Sequence, residues 1–274
     1  VHEVKTSWPF RFSQAVLLLT LSLSCASSVL AQLADPKDPQ NIQRGRDLIK
    51  QTIEARGGAR YLNFKTLEAA GQYTPFEQGN STVPMPFSDW LVYPDKERVE
   101  FGKGKKKDRR IQVNVGNSGW VYDGEAETLK DQTEKQVQAF LEGIEFDLDH
   151  LLRVTAQQPD TQVRFHGRQE IRPGERAEVV EFKLKSDQLI YLMLDRNTHL
   201  PMSLTYDKTS DKGFSKREVR FFQYISYEGI KFPNIVDFYN DGVQESRINY
   251  QSVKTDVAIP DEMFAKPASV KALK

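Results

Sequence analysis

The sequence predicts a mainly antiparallel β protein with helices, of the α+β class, on three observations. Short apolar and aromatic segments recur from about residue 66 onward, separated by Gly, Asn, Asp and Pro at turn positions. Two stretches, near residues 42–53 and 137–152, instead space their apolar residues for helices. Several strand segments are apolar on both faces, which a sheet open to water on one side does not need. There is no internal repeat or low-complexity tract, and no run after residue 31 is apolar for long enough to cross a membrane.

At the N-terminal end, Lys5 and Arg11 precede the apolar run Ala15–Ala31, which closes on Val29-Leu30-Ala31. This is the pattern of a secretory signal peptide over residues 1–31, cleaved after Ala31. A retained anchor fits less well, because the run is short for a span and carries several Ser and Thr. Cys25 is the only cysteine. As the acylated residue of a lipoprotein signal it would want Leu three positions earlier, where Ser22 stands. Simple cleavage is the expectation, leaving an exported chain without disulfide, thiol nucleophile or cysteine metal site.

A flexible lead-in, residues 32–40, is expected before the folded domain, which is assigned to 41–268 with a tail at 269–274. Asp38 and Pro39 predict a helix start, Ile42, Leu48, Ile49 and Ile53 its buried stripe, and Gly57-Gly58 its end. Strands are predicted at Leu67–Tyr73, Phe87–Tyr93, Arg98–Phe101, Ile111–Val115 and Trp120–Tyr122. A helical insertion follows over 131–156. Its stripe is Val137, Phe140, Leu141, Ile144, Leu148, Leu151 and Leu152, with a capping box at Thr133 and Gln136 and a break near Gly143 or "EFDLD". Strands resume at Gln162–Arg168, Glu178–Lys185, Gln188–Leu194, Met202–Asp207, Arg217–Tyr227, Lys231–Asn240 and Gln244–Lys254. Pro233 suits a strand opening or an edge.

The chemistry-bearing motifs point away from catalysis. No His-Glu-x-x-His, Gly-x-Ser-x-Gly or Walker A motif occurs, and no cofactor or metal is expected. Asp147, Asp149 and His150 form the best ligand-type cluster, and they also suit a solvated helix face. The chain has 38 basic and 38 acidic residues, so no global field attracts nucleic acid. The basic run Lys103–Arg110 fits a solvated hairpin tip, with contact to anionic phospholipid heads or a nucleic acid as the alternatives, the latter wanting a wider basic surface.

The aromatic strands leave two readings, core packing or the wall of an apolar hollow. Cavity candidates, taken by strand parity and helical stripe, are Trp90, Val92, Trp120, Tyr122, Phe140, Ile144, Phe182, Leu184, Phe222, Tyr224, Val236 and Phe238. Phe222 is paired in this reading with Tyr224, and Val236 with Phe238.

The succession "GQYT", "LVYPDKERVEF", "GNSGWVYDGEAETL", the helical insertion, "LMLDRNTHLPMSLTY", "YISYEGIKFPNIVDFYNDG" and "IPDEMFAKP" resembles the periplasmic outer-membrane lipoprotein carrier (LolA-like) superfamily and its sorting-protein relatives. The resemblance spans about residues 42–268. It implies a curved half-barrel, an incomplete β-barrel covered or plugged by helices, whose hollow takes acyl chains. It implies periplasmic localisation, with acylated lipid or lipoprotein cargo and contacts to envelope membrane proteins or the membrane surface as partners. It also implies that Arg98, in "PDKERV", latches the cover when no ligand is bound. A different role on the same fold, envelope sensing through a protein partner, is the alternative. The physical need is plain, since each methylene kept from water is worth ~0.8 kcal/mol and a palmitoyl-sized chain ~12 kcal/mol at most. The basic insertion Lys103–Arg110 and the segment after "DGEAETLKDQ" depart from the carriers' pattern.

Overall fold

The turn-punctuated segments of the second half and the β stretch before the insertion become strands of one sheet in the computed structural model. It describes residues 32–273 apart from 36, 103–105 and 211–212. The expected signal peptide 1–31, with Cys25, lies outside the described residues, as do residues 103–105 of the basic run.

The strands are β1 (Gln32–Leu33), β2 (Thr66–Glu77), β3 (Asn80–Ser81), β4 (Met85–Val92), β5 (Lys96–Phe101), β6 (Arg110–Val115), β7 (Ser118–Asp123) and β8 (Thr128–Asp131). After the helical insertion come β9 (Gln162–Arg172), β10 (Glu175–Lys183), β11 (Leu189–Leu194), β12 (Pro201–Ser210), β13 (Gly213–Tyr227), β14 (Ile230–Asn240) and β15 (Val243–Thr255). The helices are α1 (Pro39–Arg56), α2 (Gly58–Asn63), α3 (Glu134–Glu145) and α4 (Leu148–Arg153).

All pairings are antiparallel, in the order β1-β9-β10-β11-β12-β13-β14-β15-β2-β4-β5-β6-β7-β8, with β3 a short flap on β2. Two meanders are thus joined by the β15–β2 pair. The ends of the sheet do not meet: β8 pairs only with β7 and β1 only with β9 among the described residues. The result is a half-barrel rather than a closed barrel. Topology then dictates the cover. The chain leaves β8 at one edge and must reach β9 near the other, so α3 and α4 cross the open side.

α1 forms where Asp38 accepts a hydrogen bond from the Gln40 N–H (2.9 Å) and Pro39 supplies the first turn. It ends at Gly57, whose φ of 132° few other residues tolerate. Leu48, Ile49, Thr52, Ile53 and Arg56 are buried against the sheet, whereas Ile42, expected on that stripe, stays 40% exposed near the helix start. Gly45 lets the helix lie directly on β9: a Cβ there would sit 2.5 Å from the Arg164 carbonyl carbon.

The insertion divides in two, as Gly143 and "EFDLD" suggest. α3 carries the capping box, with Thr133 N–H donating to Gln136 Oε1 (2.9 Å) and Gln136 N–H to Thr133 Oγ1 (3.3 Å). None of its residues is buried. α4 is short but buries Leu148, Leu151 and Leu152. A buried leucine is worth roughly 2 kcal/mol, so α4 is pinned to the body while α3 rests on it lightly.

The main core joins α1, α2, α4 and the inner face of β9–β15 and β2. A second, smaller core lies where Ile111, Val113, Trp120 and Tyr122 meet Phe264 and Leu273 of the C-terminal segment. Both ends of the domain are therefore used more than the sequence suggests. The lead-in supplies β1, with Leu33 paired to Gly167, and the tail turns through Val270–Leu273 and buries Leu273.

Candidate functional site

Between the inner face of the sheet and the two covering helices lies a cavity of about 380 Å³. Leu67 and Ala69 of β2, Leu91 of β4, Phe221 of β13, Val236 of β14 and Ile248 of β15 form its apolar walls. Phe146, between α3 and α4, stacks flat on Tyr206 of β12 with centroids 3.8 Å apart and forms part of the cover. A second hollow of about 280 Å³ lies under α3 and shares Leu91, Tyr93, Glu97, Gly143 and Asp147 with the first. Phe140 and Ile144 line it from the helix. Cavities of several hundred Å³ with mostly apolar walls are the usual form of small-molecule sites.

Two strands change parity to build these walls. In β13, Gln223 has a φ of 53° and is passed over between the pairs Phe222–Ile235 and Tyr224–Pro233. Phe221 and Tyr224 consequently both reach the core, while Phe222 and Ile225 are 40% and 42% exposed. In β15 the register shifts between Tyr250 and Ser252, which turns Ile248, Tyr250 and Val253 all inward.

The cover is fastened by ions. The Arg56 side chain, 1% exposed, donates from Nη1 to Asp149 Oδ1 (2.6 Å) and to Tyr61 Oη (2.9 Å), and from Nε to the Lys231 carbonyl (3.1 Å). Tyr61 Oη also donates to Asp149 Oδ1 (2.8 Å). Burial opposes the Arg56 charge, but Asp149 and then the tyrosines outweigh it, and its pKa moves up. Arg153 of α4 stacks on Phe64 (3.6 Å) and Tyr93 (4.1 Å) and donates to the Phe64 carbonyl. α3, by contrast, is tied to the sheet through Glu142 and Lys208 (2.7 Å), both substantially exposed.

Four carboxylates interrupt the apolar lining: Asp149, which Arg56 holds, and Asp89 of β4, Glu97 of β5 and Asp147, the N-cap of α4. Burial first, then the Glu97 charge, raises the Asp89 carboxyl well above the ordinary range. Glu97 is raised by burial, against the pull of the Asn114 side-chain amide at 3.1 Å. Asp147 is exposed by area at the cavity mouth, yet crowding by the cavity walls and then Asp149 push it up to about 6. Its carboxylate accepts the His150 backbone N–H (2.9 Å), a helix cap rather than an acid–base pair with the ring.

The residues selected from sequence scatter. Val236 and Phe238 line the main cavity, and Val92, Phe140 and Ile144 the hollow beneath α3. Phe182, Leu184 and Tyr224 belong to the main core without lining either space. Trp120 and Tyr122 sit in the second core, on the other side of the sheet, because the C-terminal segment covers that face. Trp90 is half-buried and lines neither hollow; Asp89, Leu91 and Tyr93, one position out of register with it, form the wall. Phe222 faces outward. Arg98, the expected latch, touches no covering helix: it bonds Glu100 and the Met263 carbonyl beside Trp120, and so fastens the C-terminal segment. The buried ion pair between cover and body is Arg56–Asp149. Its sequence signal was a lone charge three residues beyond Ile53 on the buried stripe of α1.

Comparison with solved structures identifies the same fold. A DUF1329 family protein from Desulfovibrio piger aligns with a TM-score of 0.57 at 13% identity, over 85% of this chain and 99% of that one. A LolA superfamily protein from Nitrosomonas europaea aligns at 0.53 and 12% identity, over 81% and 97%. An outer membrane lipoprotein-sorting assignment attaches to a Vibrio parahaemolyticus domain that aligns at 0.52 and 14% identity, over 82% and 98%. No protein-family model matches the chain. No curated protein matches it either. The fold is thus shared with these three structures.

Proposed function

We propose that this chain is an exported, non-enzymatic carrier that holds the acyl chains of a lipid or lipoprotein between its sheet and helical cover. The observation that carries this reading is the largely apolar cavity of about 380 Å³ beneath the α3–α4 junction, next to α3, a helix with no buried residue. Its apolar stripe (Val137, Phe140, Leu141, Ile144) is only half-buried, so exchanging sheet contacts for an acyl chain costs little. α4, pinned by three leucines and the Arg56–Asp149 bond, is the fixed base from which α3 swings. The shared fold of lipoprotein-sorting and LolA-superfamily structures supports the same reading, as does the signal-like segment 1–31.

The test is to express the full sequence in a secreting bacterium, purify the product and examine it by native mass spectrometry and lipid extraction. The expected product starts at Gln32 and carries a stoichiometric lipid, or takes up a fluorescent fatty acid at one saturable site. A product that binds no amphiphile and instead captures a protein partner would replace the carrier with a sensor on the same fold.

A further inference from the structure

We propose that the cargo's polar end is cationic, an alkylammonium-type head seated against Asp89, Glu97 and Asp147 while its chain fills the apolar hollow. This rests on the carrier reading and adds the class of head group. The three carboxylates come from two neighbouring strands and the cap of α4, and all border the main cavity. None makes an ion pair with a described lysine or arginine. Asp89 Oδ1 has no contact with solvent and no hydrogen-bond partner, an arrangement that is costly unless something compensates it.

None of the nearby described cations pairs with these three carboxylates. Arg56 is held by Asp149 and Tyr61, Arg153 lies on Phe64 and Tyr93, and Lys96 reaches Asp261 at 2.8 Å. The wall therefore offers carboxyl groups with no protein counter-ion, whose charged form a cation stabilises and a carboxylate or phosphate head does not. A positive head is attracted, and it favours the charged form of carboxyls that burial otherwise pushes toward protonation. The aromatic rings of Tyr93 and Tyr250 border the same space and suit an organic ammonium. A metal ion is a poorer fit, since no group of three acidic or histidine side chains among the described residues converges on one point.

Three probes of equal chain length separate the outcomes: dodecylamine, dodecanoate and neutral monolaurin, each below its micelle threshold, titrated calorimetrically into the processed protein at neutral pH. The ammonium probe should bind at least about tenfold tighter than the carboxylate probe. In Asp89→Asn/Glu97→Gln, checked for an intact melting transition, that ratio should collapse toward one. Equal or tighter binding of dodecanoate to the wild type overturns the proposal, as does a preference that survives in the double variant. Binding of monolaurin without an ammonium preference leaves the carrier reading standing and removes only the head-group assignment. Binding of none of the three removes both.

Discussion

Arg56 and Asp149 set what a single residue can do in this fold. Removing one partner of a buried ion pair leaves the other charged and unpaired, a loss of about 3–5 kcal/mol, whereas removing both is far less costly. Urea unfolding of Arg56→Met, Asp149→Leu and the double variant should therefore be strongly non-additive, the double losing less than the two singles together; additive losses would mean that the pair does not fasten α4. Asp147 makes the second residue-scale prediction. Its carboxyl, ordinarily near 3.8, is raised to about 6 in the fold. The protonated form is thus favoured by folding, and the stability it contributes is present below its unfolded value and lost as pH rises through about 6. His150, lowered by burial and then by Arg153, acts in the opposite direction, so the informative quantity is a difference. Asp147→Asn keeps the cap and the histidine but not the titration. The melting temperature of the wild type minus that of the variant should fall steadily from pH 4 to pH 7, and a flat difference would contradict the shift.

At the scale of elements, the helical insertion is two devices with different strengths. α4 buries three leucines and holds Asp149; α3 buries nothing and meets the sheet through the partly exposed Glu142–Lys208 pair. Amide hydrogen exchange should accordingly be fast along 134–145 and slow along 148–153, since local opening follows buried contact. Equal protection would argue against a swinging α3. The division was legible beforehand, because capping box, glycine and acidic break all lie in the sequence. The strand faces were less so. Alternation in "SDWLVYP" offers two equivalent faces, and nothing local tells which is inside. The αL residue Gln223 and the register shift after Tyr250 reverse parity without a glycine or proline to announce them. That is why Phe222 was grouped with Tyr224, although one faces outward and the other inward.

For the whole molecule, the run of neighbouring hairpins follows from the sequence pattern, whereas the β15–β2 pair that joins the two meanders does not. "IPDEMFAKP" reads as the end of the domain and 269–274 as a tail, and nothing in either shows that Arg98, Trp120 and Arg109 bond the Met263, Phe264 and Leu273 carbonyls across one face of β5–β7. Such long-range packing has no local periodicity to reveal it, so Trp120 and Tyr122 looked free to line a hollow. The same is true of the acidic wall: Asp89 is an ordinary strand residue until the sheet curves and α4 lands opposite. The assembled molecule offers two adjoining, largely apolar hollows beside a lightly held helix, and Gly143 lines both. A Cβ at Gly143 meets nothing within 4 Å, so a side chain placed there starts in open space at the edge of both hollows. The most direct measurement is a fluorescent fatty-acid titration of the wild type against Gly143→Trp, with folding of both checked by thermal melting. The carrier account predicts saturable one-site binding by the wild type and a loss of at least about tenfold in affinity for the folded variant. Equal binding by the two proteins would place the ligand outside the cavity and contradict it.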